Sequence, residues 1–129
     1  MTKILLVVED DPIVARLYQK SLAFDGFHVE TAIGGREGLE KIRAINPDLV
    51  LLDVMMPEPN GMEVLDIIKK DPNFKHIPVV MLTNLSGKGD AEIAMERGAE
   101  DYWIKKDADP NELGKKIKVI LDRVNQENN

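Results

Sequence analysis

Within Pro47–Gly61, PDLVLLDVMMPEPNG, four consecutive aliphatic residues run into one carboxylate, Asp53, before Pro57, Pro59 and Gly61 break the chain. A half-buried strand alternates apolar and polar residues. An unbroken aliphatic run this short, held between proline and glycine, has to be covered on both faces, as an inner strand of a parallel sheet is. In open sheets of that kind, ligands gather in the crevice beyond the carboxyl ends of the strands. Asp53 stands at such an end, where chemistry is done rather than packing.

The same pattern recurs along the chain. Ile4–Val8 is an apolar run that stops at Glu9-Asp10-Asp11, Ile77–Leu82 stops at Thr83, and Tyr102–Ile104 stops at Lys105. Phe27, Val29 and Thr31 alternate with polar residues, as a strand nearer an edge would. Helical signals separate these runs. Asp11-Pro12 reads as a cap followed by proline in the first turn, with Ile13, Val14, Leu17, Ser21 and Leu22 expected on the inward face and Gly26 as the stop. Gly34-Gly35 opens a second helix, with Leu39, Ile42 and Ile45 facing in, ended by Asn46-Pro47. Val64, Leu65 and Ile68 mark a third, and Ala91–Arg97, closed by Gly98, a fourth. Asp109-Pro110-Asn111-Glu112 reads as a capping box that starts a fifth, carrying Leu113, Ile117, Ile120, Leu121 and Val124; residues 124–129 are expected to fray. Five alternations of strand and helix predict one α/β domain over residues 1–129, its parallel sheet covered by helices on both faces.

Composition narrows the function. A chain of 129 residues, 43% hydrophobic, can bury a core. No apolar run approaches the length of a membrane span, and the N-terminus lacks the apolar stretch of a secretory signal. With no cysteine there is no disulfide or thiolate metal site, and the chain is expected in the cytoplasm. A net charge of −6, with scattered lysines, argues against direct contact with nucleic acid. His28 and His76 lie far in sequence from the acids and read as structural.

If the sheet is parallel, Glu9-Asp10, Asp53, Thr83 and Lys105 all meet at one edge. Each alone reads blandly, as a solvated acid, a turn hydroxyl or a surface charge; together they read as a site. Clustered carboxylates repel one another and call for a cation. Oxygen ligands favour Mg2+, or Mn2+, over zinc. A lysine and a hydroxyl beside such a cation suit a phosphoryl group, which the central carboxylate can accept covalently.

The segments VVEDD, LLDVMMP with Gly61, MLTN and YWIKK resemble the receiver domain of two-component response regulators, over essentially the whole chain. The resemblance implies a flavodoxin-like (βα)5 fold with strand order 2-1-3-4-5. It implies Asp53 as phosphoacceptor. Mg2+ would be held by Asp10, by Glu9 directly or through water, by Asp53 and by the Met55 backbone carbonyl. Thr83 and Lys105 would bind the phosphoryl group, and Tyr102 would be an aromatic that changes rotamer on activation. The implied partners are a sensor histidine kinase or phosphotransfer protein upstream, and downstream a protein that docks on the last two helices and strand. The chain itself would be a stand-alone switch rather than a turnover enzyme, a monomer or a weak phosphorylation-dependent dimer. Two alternatives compete: a receiver-like scaffold that needs no phosphorylation, and a Mg2+-dependent phosphohydrolase, which Met55 disfavours because it cannot transfer a proton.

Two positions depart from the family pattern. Lys106 stands where proline commonly follows the lysine, and a cis bond there would cost about 2.5–4 kcal/mol, so Lys105–Lys106 is expected to be trans with the next loop re-routed. Asn84 stands where a small residue commonly follows the threonine, and it either narrows access to the phosphoryl group or donates to it. Met55 and Leu85 occupy positions that in the family influence attack by water, and neither can orient a water molecule. Slow self-dephosphorylation is therefore expected. A Met55→Asn, Leu85→Glu double variant should lose its phosphoryl group faster than the wild type when phosphate release is timed.

Overall fold

The structure, a computed structural model, describes residues 2–127. Strands and helices alternate as β1 (Ile4–Val8), α1 (Pro12–Phe24), β2 (His28–Ala32), α2 (Gly35–Ile45), β3 (Leu49–Leu52), α3 (Gly61–Lys70), β4 (Val79–Thr83), α4 (Lys88–Glu96), β5 (Asp101–Ile104) and α5 (Pro110–Glu127), with a 3-10 turn at Lys105–Asp107 before α5. All four strand pairs are parallel, in the order β2-β1-β3-β4-β5. This is the flavodoxin-like arrangement expected.

The central strands are uniformly aliphatic because each face of the sheet is covered by its own layer of helices. Leu6, Val8, Val50, Leu52, Val79 and Met81 point to one side, against Ile42 of α2, Val64 and Ile68 of α3 and Ala94 of α4. Leu5, Val7, Leu49, Leu51, Val80 and Leu82 point to the other, against Tyr18 and Leu22 of α1 and Leu113 and Ile117 of α5.

Helix α1 corrects the expectation. Its buried stripe is Ala15, Tyr18 and Leu22, whereas Ile13 and Leu17 are 80% and 50% exposed. The helix carries two apolar stripes about half a turn apart at 100° per residue, Ala15-Tyr18-Leu22 on one side and Ile13-Leu17-Phe24 on the other. Periodicity detects both without saying which the sheet takes. Helix α5 runs to Glu127, with no proline or glycine between Val124 and that end; residues 128 and 129 lie outside the described residues. At its start Asp109 Oδ1 accepts from the Asn111 amide, while the Glu112 carboxylate lies 3.6 Å from Lys115 Nζ instead of closing a capping box.

The box that does close was not anticipated. Asn60 Oδ1 accepts from Glu63 N, and Glu63 Oε1 accepts from Asn60 N, both at 3.0 Å. It starts α3 at Gly61, which presses on the backbone just after β3. A Cβ at Gly61 would lie 2.1 Å from the Asp53 carbonyl oxygen and 2.6 Å from Val54 Cα. Gly61→Ala is therefore expected to lose about 3 kcal/mol in urea unfolding. Gly89→Ala, in α4 with open space around it, should be neutral or gain up to about 1 kcal/mol.

Candidate functional site

Parallel register delivers the polar residues to one edge. Val8 pairs with Leu52, and the ladder runs one step further, Asp53 N donating to Val8 O at 3.1 Å, so Glu9 and Asp53 emerge side by side. Thr83 pairs with Ile104, which brings Lys105 up beside them. The Lys105 ammonium donates to Glu9 Oε2 at 2.6 Å and to Asp53 Oδ2 at 2.8 Å. Asp53 Oδ1 accepts from the Met55 amide at 3.1 Å. Asp10 is exposed at the rim, and carboxylate oxygens of Glu9, Asp10 and Asp53 lie within 4.8 Å of one another.

Burial and charge set the ionisation of this group. Glu9 is only 3% exposed, and burial, reinforced by the neighbouring Asp53, pushes its carboxyl up to about 7 despite the Lys105 hydrogen bond. Burial pushes Asp53 up as well, but hydrogen bonds from Lys105, Glu9, the Met55 amide and Thr83 outweigh it and hold the carboxyl below its ordinary value. Burial disfavours the Lys105 ammonium, yet its bonds to Asp53 and Glu9 raise it overall. One ammonium thus serves two buried carboxylates, leaving a deficit of positive charge beside the third. Hard oxygen donors and a net negative hollow fit a small divalent cation such as Mg2+. Asp11 takes no part: its Oδ1 accepts from Ile13 N and caps α1.

The remaining predicted residues form a second shelf. Thr83 is fully buried, and its Oγ1 accepts from Leu85 N at 3.2 Å. Tyr102, half-buried, donates its hydroxyl to the Leu85 carbonyl, so Thr83, Leu85 and Tyr102 form one chain of contacts. Asn84 and Lys106 are exposed, and Met55 is 58% exposed. Among the described residues the cis peptide is Glu58–Pro59, so Lys105–Lys106 is trans and leads into the 3-10 turn. His28 and His76 are both exposed and neither joins the Glu9, Asp10 and Asp53 cluster; His28 Nε2 lies 2.7 Å from Glu30 Oε2 instead. Glu9, expected as a metal ligand, is also the closest partner of Lys105, and no local signal links residues that far apart in the chain.

A family model described as "Response regulator receiver domain" matches residues 5–118. The probable transcriptional regulator ycf27 of Guillardia theta is 36% identical over 121 residues, covering 94% of this chain and 46% of the relative, so the chain spans less than half the length of that protein. The polar-differentiation response regulator DivK of Brucella ovis is 35% identical over 105 residues, covering 81% of this chain and 85% of the relative. A CheY-like response regulator receiver domain protein from Methanospirillum hungatei superimposes with a TM-score of 0.91 at 30% identity, covering 98% of this chain and 99% of the other.

The raised Glu9 carboxyl has a consequence for stability. A folded-state pKa near 7 against an ordinary 4.5 makes Glu9 favour the fold below its unfolded value and lose that contribution as pH rises through 7. In metal-free buffer, Glu9→Gln should therefore be more stable than the wild type above about pH 7, by about 1–3 kcal/mol, with the advantage fading on acidification. Urea midpoints across that range check the sign.

Proposed function

The chain belongs to the response regulator receiver family, and on that premise we propose that it is a phosphorylation switch with Asp53 as the acceptor. The observation that carries this reading is the Lys105 ammonium bridging Asp53 and Glu9 at the carboxyl edge of the sheet, beside Asp10.

Receiver domains bind Mg2+ through acidic residues, and Glu9, Asp10, Asp53 and the Met55 carbonyl are the groups that would hold it here. These ligands would place a cation where it offsets charge on the transferring phosphoryl group. Asp53, kept ionised by its hydrogen bonds, supplies the nucleophilic oxygen. Its oxygen–phosphorus bond forms as the phosphorus–nitrogen bond of a donor phosphohistidine breaks; the electron pair leaves with the imidazole. Lys105 pairs with one phosphoryl oxygen, and Thr83, whose hydroxyl accepts from the Leu85 amide and keeps its own proton free, donates to another. Asn84 and Lys106, which follow Thr83 and Lys105 in the chain, are exposed and would modulate access.

The donor is a sensor histidine kinase or phosphotransfer protein. Ile13 and Leu17, exposed on α1 immediately after Asp10-Asp11, give it an apolar seat continuous with the acceptor's rim. A downstream protein reads the surface of α4, Tyr102 and α5, where Ile93 and Val119 are exposed. Thr83 and Tyr102 shift together, biasing an existing two-state equilibrium.

Intact mass after incubation with acetyl phosphate tests the chemistry. A single phosphoryl adduct that needs Mg2+ and is absent from Asp53→Ala is the expected result. No adduct under any condition overturns the reading in favour of a scaffold. With a histidine kinase that loads the wild type, an Ile13→Ser, Leu17→Ser variant should keep the acetyl phosphate adduct and lose most transfer from the protein donor.

A further inference from the structure

Strand β5 lies at the edge of the sheet and carries two aromatic residues on opposite faces, Tyr102 and Trp103. Tyr102 turns toward the Leu85 loop. Trp103, 8% exposed, turns the other way and packs among Leu113 and Ile117 of α5. Two polar contacts hold it, and a third ties the same acid to the strand. Asp101 Oδ2 accepts from the indole Nε1 at 2.9 Å, and Asp101 Oδ1 accepts from the Tyr102 amide at 2.8 Å. The Lys116 ammonium, on α5, sits 5.3 Å from the centre of the Trp103 ring. One carboxylate thus closes an edge amide and orients the indole, while a cation from the helix covers the ring face.

We propose that Asp101, Trp103 and Lys116 form a clamp that couples loading of the Asp53 site to α5. The inference rests on Asp53 as the phosphoacceptor. Lys105 stands in the chain between Trp103 and Ala108, and both are buried in the same cluster as Leu113 and Ile117. The backbone that carries the ammonium is therefore anchored to α5 on either side, through a turn of only three residues. When a phosphoryl group stands between Asp53 and Lys105, the ammonium must leave Glu9 and Asp53 for a position further out. Whatever part of that shift the lysine side chain does not absorb is passed through Trp103 to α5, where Lys116 and the edge carboxylate register it. Trp103 as a bulky indole, rather than a small aliphatic, makes the contact long enough to reach both the helix cation and the strand's own acid.

Beryllofluoride with Mg2+, a stable mimic of the phosphoryl group, tests the coupling. Fluorine NMR reports occupancy of the site, and amide hydrogen exchange across residues 110–127 reports α5. The wild type should bind the mimic and change its α5 exchange. Asp101→Asn and Trp103→Phe should bind it equally while the α5 change falls at least about threefold, and Lys116→Met should do the same without touching strand β5. An α5 change of wild-type size in these variants overturns the clamp, as does a wild type that binds the mimic with α5 unchanged. A wild type with no bound fluorine signal overturns the reading of Asp53 itself, and the clamp with it.

Discussion

The physical constraint on which the structure turns is a shortage of positive charge. Two carboxylates, Glu9 and Asp53, are buried at the end of adjacent strands and share one ammonium, Lys105. Taking a carboxylate out of water costs several kcal/mol unless a partner compensates it, and a single partner cannot compensate two fully. The imbalance falls unevenly: Asp53 gains most of the hydrogen bonds and stays ionised, while Glu9 is left readily protonated. A fold selected only for stability would replace one acid with an amide. The excess negative charge, with Asp10 beside it, is what a divalent cation would offset.

Everything else supports that edge without taking part in it. The aliphatic runs of β1, β3 and β4 bury on both faces and keep the carboxyl ends of the strands in register to within one residue. Gly61 lets α3 start in contact with the carbonyl of Asp53, and the Asn60–Glu63 box fixes where that helix begins. The Asp53 loop is consequently held from behind by backbone packing. Its front, at Met55 and Asp10, is open.

The sheet and the convergence of Glu9, Asp10, Asp53, Thr83 and Lys105 were legible in the sequence for a specific reason. In a doubly covered parallel sheet the buried strands are the only short unbroken aliphatic runs, and the polar residue that ends each run lies at the same edge. Matters that depend on distance or on choosing between equivalent faces were not legible. Helix α1 has two apolar stripes, and only the third dimension decides that Tyr18 goes in and Leu17 stays out. The bond from Lys105 to Glu9 spans 96 positions in the chain. The Asn60–Glu63 box sits behind a proline-rich loop whose breaks mask the helix start, and the Trp103 contacts depend on α5 lying over β5.

Energetics then narrow where a switch can reside. The surface pairs Arg97–Asp66 and Arg123–Glu100 are half exposed and contribute no more than about 1 kcal/mol each. Moving a two-state equilibrium from one side to the other requires about 5.5 kcal/mol of differential interaction. Rearranging the buried Lys105 bridge supplies about 3–5 kcal/mol at the upper end, close to that requirement but short of it. The balance has to come from groups that move with it, and those in contact with the bridge are few. Thr83 holds the Leu85 amide and Tyr102 holds the Leu85 carbonyl, so one loop is tied by two hydrogen bonds to the residues nearest the site. Exchanging those two bonds, each worth about 1 kcal/mol, brings the sum into range. A switch in this fold is therefore a property of the bridge and the loop together.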